Sequence, residues 1–306
     1  MMYEDRNFSK KDNDAISGVL VVDKPVGMTS HDVVQIIRRG TNIRRAGHTG
    51  TLDPRASGVL VILIGPAVRL SEYVSASDKR YQAIIRLGSK SDTYDLDGRI
   101  TSSSPVNVTQ EQFNEALQKF VGEIKQTPPP FSAVRVQGHH AYEMARKGEE
   151  VNLEPRIITV HSLEVVEWTP PEITVDVHCS SGTYVRSLAY DLGEALGCGA
   201  MLAGLRRTKS GRFTLKDAVP LRKLVESFDG GTWYKYVIPA AEALSEWQAL
   251  TLNNEQVESI RHGHRIAGEG KEGEMVRGIT EQGELVALLE FDSISKEYQP
   301  RKVFFT

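Results

Sequence analysis

Two cysteines, Cys179 and Cys198, are all that 306 residues offer. They are too few for a disulfide framework or a four-thiolate zinc site. No apolar run approaches the roughly 20 residues that span a bilayer. The opening residues, MMYEDRNFSKKDNDA, lack the apolar stretch of a secretion signal. The expectation is a reducing, cytoplasmic setting with no membrane contact, in which the Asn-Val-Thr at 107–109 is an accidental sequon. Several reaction signatures are missing as well. There is no P-loop, no dinucleotide fingerprint after a strand, no His-Glu-x-x-His, no Cys-x-x-Cys and no Gly-x-Ser-x-Gly. The eight histidines give two close pairs, His139-His140 and His262-x-His264, neither with a nearby Cys or Asp. No metal site is expected from such spacing. The 26 glycines and 13 prolines show no period that would suit collagen, and no internal repeat is visible.

Positive charge is also short overall: 37 Lys and Arg against 40 Asp and Glu leave a net charge of −3. Its distribution is uneven. Between Asp32 and Glu72 the single acid is Asp53, amid Arg38, Arg39, Arg44, Arg45, Arg55 and Arg69. A second basic cluster holds Arg206, Arg207, Lys209, Arg212 and Lys216. Two basic patches on a mildly acidic chain suit a polyanion ligand, or else a solvated charged face.

At roughly 150 residues per domain the length predicts about two domains. Residues 1–16 read as a disordered lead. Gly18–Val22 is a buried strand, and Thr29 or Ser30 caps a helix carrying Val33, Val34, Ile36 and Ile37. Gly47–Pro54 reads as a loop, followed by strands at Gly58–Ile64 and Tyr81–Leu87. Thr109 and Gln112 form a capping box before Phe113, Ala116, Leu117 and Phe120. Three prolines in 127–138 and a short helix after them mark residues 127–150 as an excursion from the core. Strands follow at Ile157–Trp168 and Ile173–Cys179, then a helix capped by Thr183 and stopped at Gly197. Interspersed strands and helices without a βαβ period predict an α+β fold with a mixed, largely antiparallel sheet over 17–247. From about Trp247, six glycines punctuate short strands (Met275–Ile279, Leu285–Phe291, Lys302–Phe305), so 248–306 reads as a small, separable β module.

The chemistry concentrates in Arg45-Ala-Gly-His-Thr-Gly-Thr-Leu-Asp-Pro54. Its glycines let backbone approach a ligand. Its lone carboxylate stays ionised among guanidinium groups, fit to act as a nucleophile or to stabilise a developing cation at a sugar carbon. The same residues also suit a plain Asx turn before Pro54.

The run GHTGTLDPRASGVL resembles the signature loop of the TruB family of tRNA pseudouridine synthases. Four further segments resemble that family's motifs in its order: Leu-Val-Val-Asp-Lys-Pro-x-Gly-Met-Thr-Ser at 20–30, Asp78-Lys-Arg-Tyr81, Ser181-Gly-Thr-Tyr-Val-Arg-Ser-Leu188, and Leu205-Arg-Arg-Thr-Lys-Ser-Gly-Arg-Phe213. The departures are Val68 where the family often has Thr, Phe131 where Tyr is usual and Arg135 where Lys is usual.

The resemblance implies isomerisation of the T-loop uridine, position 55 of transfer RNA, to pseudouridine, by a stand-alone enzyme without guide RNA. The C1′–N1 bond breaks, the uracil turns, and a C1′–C5 bond forms. Atoms in equal atoms out, so no redox or metal cofactor is called for. Asp53 is the catalytic aspartate by motif. Attack at C1′, addition at C6 and elimination across C1′–C2′ each use such a carboxylate. Arg186 is expected to pair with it and Tyr81 to stack on uracil or relay a proton. Tyr184 and Leu205 are expected to line the uracil pocket. His48 is expected to fill the stack vacated by the flipped base, and Lys24 to pack on Tyr81 or reach a phosphate. The 127–150 segment resembles the family's RNA-clasping insertion. The 248–306 module resembles, more weakly, a PUA-type RNA-binding domain. The expected state is a monomer whose partner is the T-arm of transfer RNA, with an added RNA-folding role left open.

Overall fold

The computed structural model describes residues 16–132, 134–136, 139–147 and 152–304. The expected lead therefore falls, up to residue 15, outside the described residues, as do the side chains of Arg135, Tyr142 and Arg146 in the excursion. Ile16 is already buried.

In chain order, β1 (Gly18–Lys24) is followed by α1 (Ser30–Thr41), β2 (Ala46–His48), β3 (Ala56–Ile64), α2 (Ser71–Ser75), β4 (Lys79–Leu87), β5 (Ser89–Ser91) and β6 (Ile100–Ser103). Next come α3 (Gln110–Gln118), β7 (Gly122–Gln126), the hairpin β8 (Arg135–Val136) and β9 (His139–His140), α4 (Ala141–Arg146), β10 (Arg156–Thr169), β11 (Glu172–Cys179) and α5 (Val185–Ala195). Then follow β12 (Ala200–Ser210), β13 (Phe213–Thr214), β14 (Val219–Pro220), α6 (Leu221–Asp229) and β15 (Ile238–Pro239). The C-terminal region holds β16 (Ala249–Thr251), α7 (Asn254–Arg261), β17 (Ile266–Ala267), β18 (Met275–Ile279), β19 (Leu285–Asp292) and β20 (Glu297–Val303).

These elements form two compact units, each stitched from separate stretches of chain. One takes residues up to 54, 58–76 and those from 210 on; the other takes 55–57 and 77–209. In the first unit β1 runs antiparallel to β3 from Gly18 opposite Ile64 to Lys24 opposite Gly58. The β14 strand lies parallel to β1, and β2 lines the end of β3, His48 opposite Ile62. Thr29 caps α1 in a reciprocal box with Asp32. Gly40 lets α1 approach α6, because a Cβ there would stand 2.1 Å from the Phe228 ring.

The same unit contains the five-stranded C-terminal sheet, ordered β16-β18-β19-β20-β17. It is less separable than the sequence suggested. Leu288 and Phe304 sit in one apolar cluster with Val19, Val21, Val59, Val61 and Leu63. The Arg277 guanidinium donates to the carbonyls of Trp247, Ala241 and Ser245 at 3.0, 2.7 and 3.3 Å. The module also carries α7, unforeseen in the sequence although Asn253 and Gln256 form its capping box.

In the second unit the strand order is β12-β4-β11-β10-β7. The β4–β11, β11–β10 and β10–β7 pairs are antiparallel. Apolar side chains of α3 and α5 (Leu117, Leu188, Leu192) meet Ile85, Leu163, Val175 and Val177 of the strands around an apolar crevice. Strands are mixed with helices and most strand pairs are antiparallel, the α+β arrangement read from the sequence. Among the described residues no helix is long and apolar enough to cross a membrane.

Candidate active site

The carboxylate loop is fixed on both sides of Asp53. Ahead of it, the Leu52 N–H donates to Ser30 Oγ at 2.8 Å, and that hydroxyl donates to the Leu52 carbonyl at 3.1 Å. Behind it, the Pro54 carbonyl accepts the Gly27 N–H at 2.8 Å and the Lys24 ammonium at 3.5 Å. Lys24 also donates to Met28 and Pro25 carbonyls at 2.7 and 3.0 Å and is completely buried. Neither a solvated lysine nor a hand for phosphate fits that burial. Lys24 ties the Pro25–Met28 turn to the end of the Asp53 loop. Gly27 sits in that turn at a φ of +92°, where a side chain would be strained. Asp53 and His48 are both half-buried. His48 belongs to β2 rather than to a loop, because Ala46, Gly47 and His48 pair with the far end of β3. Both lie, with Lys24, on the first unit.

Tyr81, Tyr184, Arg186 and Leu205 lie on the second. Tyr81 is an inward position of β4, opposite Val177, in a strand whose side chains alternate buried and exposed. Tyr184 is the N-cap of α5, with no side-chain cap of its own. Buried Gln126 replaces one: its Oε1 accepts the Tyr184 N–H at 2.8 Å and its Nε2 donates to the Tyr184 carbonyl at 3.1 Å. Thr183, expected to cap this helix, instead donates to the Ser180 carbonyl at 3.0 Å. In the first turn of α5, Ser187 Oγ donates to the Thr127 carbonyl at 2.8 Å, so the triple-proline segment is fastened to the helix. Leu205 lies half-buried on β12.

Arg186 is only 8% exposed. Its guanidinium donates to the carbonyls of Thr93 and Phe131 at 3.2 and 3.1 Å and stands 3.5 Å from the Asp95 carboxylate. Asp95 is the partner that motif reading missed. Burial pushes its carboxyl above the ordinary carboxylate range, while Thr93, the Asp97 N–H and Arg186 pull it back. Its other oxygen accepts from Thr93 Oγ1 at 2.5 Å and from the Asp97 N–H at 2.9 Å. The segment turns there through Tyr94 at a φ of +64°, its ring stacked on Tyr190 of α5 at 4.0 Å. The sequence signal was Thr-Tyr-Asp-Leu-Asp-Gly, an Asp- and Gly-rich turn between strands.

The basic clusters divide into structural and exposed members. Arg207 is buried. Beside it Lys79 is buried, donating to the Ser77 carbonyl, its amine held down to about 8 by burial and then by Arg207. Arg38 donates to the Ala46 carbonyl at 2.6 Å, Arg55 pairs with Asp97, and Arg212 pairs with Glu242 at 2.9 Å. Arg44, Arg45, Lys209 and Lys216 are exposed.

Two family models match successive stretches. TruB family pseudouridylate synthase (N terminal domain) matches residues 38–185, and tRNA pseudouridylate synthase B C-terminal domain matches 186–244. The tRNA pseudouridine synthase B of Syntrophus aciditrophicus is 40% identical over 285 residues, 90% of this chain and 91% of that protein. The protein of the same name from Serratia proteamaculans is 47% identical over 211 residues, 69% and 67% of the two chains. Among solved structures, an H/ACA RNP bound to a substrate RNA containing 2′-deoxyuridine matches with a TM-score of 0.75 at 27% identity. That match covers 98% of this chain and 88% of the other. A Cbf5-Nop10-Gar1 complex matches with a TM-score of 0.75 at 28% identity, over 97% and 88%. The matched stretches contain Asp53, Tyr81, Arg186 and Leu205, and the likeness to relatives runs along nine-tenths of both chains. The chain belongs to the TruB family of pseudouridylate synthases.

Proposed function

We propose that this chain isomerises the T-loop uridine at position 55 of transfer RNA to pseudouridine, unaided by guide RNA. The relatives' name, tRNA pseudouridine synthase B, supports the substrate class. The carrying observation is the double fastening of the Asp53 loop, which gives one carboxylate a fixed position on a half-open surface. Asp53 acts at the sugar or base of the flipped nucleotide; Arg186, oriented by Asp95, offers a fixed guanidinium. Tyr81 and Tyr184 offer ring faces to the uracil, and Leu205 an apolar wall. His48 is a flat side chain suited to the gap left by the flipped base. Exposed Arg44, Arg45, Lys209 and Lys216 hold phosphates, which position an RNA without reading it. Base recognition then falls on the splayed loop nucleotides.

The test is to incubate the purified chain with an unmodified transfer RNA transcript and map pseudouridine by nucleotide. The expected product is one pseudouridine, in the T-loop, formed by protein alone. Asp53→Asn is expected to abolish it while RNA binding stays within about tenfold, since the amide keeps the shape and loses the charge. Modification that needs an added guide RNA and partner proteins would overturn the stand-alone reading. Free uracil as product would overturn isomerisation.

A further inference from the structure

Three residues distant in sequence, Asp78, His161 and His178, meet at the sheet of the second unit. Asp78 immediately precedes β4, His178 lies on β11, and His161 lies on β10. The register explains the meeting. His178 opposes Arg80 on one side and Ser162 on the other, and the β10–β11 ladder shifts between Val160 and Ser162. The extra residue in that bulge is His161, and a bulge re-aims a side chain. Asp78, two residues before Arg80, shares its face of the strand. His161 Nε2 stands 3.0 Å from Asp78 Oδ2, and His178 Nε2 stands 3.9 Å from the same oxygen. The two rings are 4.6 Å apart, and the three donor atoms all lie within 4.8 Å of one another.

Ligands at 2.0–2.2 Å from a zinc ion stand roughly 3 to 3.5 Å apart. The Asp78–His161 spacing already fits, and His178, 3.9 Å from Asp78 and within 4.8 Å of His161, needs to close by at most roughly 1.3 Å. We propose that Asp78, His161 and His178 form a binding site for a divalent transition-metal ion of the zinc class, water filling the remaining positions. Two imidazoles and one carboxylate suit Zn²⁺, Co²⁺ or Ni²⁺; Ca²⁺ and Mg²⁺ favour all-oxygen sites. Each side chain is more than a third exposed, so the ion has access and room for its waters. Arg80 and Lys209 lie close enough to act on His178, although Arg80 is itself paired with Asp176 at 2.9 Å. Their repulsion makes binding weaker than at a closed structural site. The bound ion clips β4, β10 and β11 together and stabilises the folded chain by mass action. No step of the isomerisation passes through it. Sequence spacing hides the site, since its three ligands are separated by 82 and 16 intervening residues.

The experiment titrates untagged, chelator-stripped full-length protein with Zn²⁺ by calorimetry and with Co²⁺ by visible absorption, and records the melting temperature with and without Zn²⁺. One ion per chain, a nitrogen-ligated Co²⁺ spectrum and a raised melting temperature are expected. His161→Asn and His178→Asn should each weaken binding by about tenfold or more and remove the thermal gain. The double variant His262→Asn/His264→Asn should change neither. His161 is exposed on its bulge, so His161→Asn decides the question even if His178→Asn misfolds. Absence of saturable binding, or binding that survives His161→Asn, would overturn the site.

Discussion

Arg186 has a buried guanidinium whose charge is met by Asp95 and two carbonyls, so Asp95 is a positioning residue for whatever Arg186 does. Asp95→Asn keeps the shape and removes the charge. Its expected effect is a fall of roughly tenfold or more in single-turnover rate at saturating RNA, with little change in affinity. Arg186→Lys should be at least as damaging, because an ammonium cannot reach two carbonyls and a carboxylate from one plane. Near-parental rates in both variants would separate Arg186 from catalysis. Asp191 offers a pH test of a different kind. Burial, then Glu194, pushes its carboxyl from 3.8 up to about 6. Between those values the folded chain binds a proton that the unfolded chain has lost. Stability from this group therefore falls as pH rises through about 4 to 6 and stays reduced above. Asp191→Asn should melt higher than the parent at neutral pH, with the gap closing below about pH 4. A gap that does not depend on pH would show that Asp191 titrates normally.

Among the elements, α5 depends on a residue outside itself. Without a cap of its own it begins on the two-way bond between Tyr184 and Gln126. Gln126→Ala leaves the half-buried Tyr184 N–H to find another partner, while the carbonyl keeps the Leu188 N–H, at a cost of about 1–3 kcal/mol. Because the same bond sets the course of the chain at Tyr184, a slower single-turnover rate should accompany the lower melting temperature; stability loss with full activity would make Gln126 purely structural. This arrangement marks where sequence reading reaches its limit. A cap at Thr29 and the Thr109–Gln112 capping box were legible because the groups they join lie within three residues. The Thr183 cap failed because its hydroxyl turns back to the Ser180 carbonyl and the helix starts one residue later, on Tyr184, which Gln126 holds from 58 residues away. The β2 strand was hidden because three residues, one a glycine, carry no period; only β3 makes them a strand. Asp53 and Arg186 could be picked out by motif, whereas Asp95, Gln126 and the buried Lys24 clamp depend on long-range contacts that no local pattern encodes.

At the scale of the whole molecule, the chain's last 59 residues were expected to come away cleanly, and the core argues against it. Leu288 and Phe304 share a cluster with β1 and β3, the strands flanking the Asp53 loop. Burying one such side chain contributes roughly 1.5–3 kcal/mol, so losing both removes several kcal/mol from a fold whose net stability is on the order of 5–15 kcal/mol. The carbonyls of Ala241, Ser245 and Trp247 would also lose Arg277. Nor does the tail look like an electrostatic anchor. Arg261 pairs with Glu258, Arg265 with Asp292, Arg301 with Glu290 and Lys302 with Glu72. A chain ending at residue 247 should therefore melt on the order of 10 °C lower or fail to stay soluble. The point variant Leu288→Ala, in the full chain, should cost about 2–5 kcal/mol by itself. In the full chain, Arg261→Gln/Arg265→Gln/Arg301→Gln should leave the slope of log affinity against log salt nearly unchanged. Arg44→Gln/Arg45→Gln should flatten it by roughly 0.7–0.9 for each phosphate that the protein no longer neutralises. A soluble 1–247 chain with parental melting temperature would show the tail to be an independent domain after all, and a slope that moves with the tail arginines instead would transfer the phosphate grip to the C-terminal sheet.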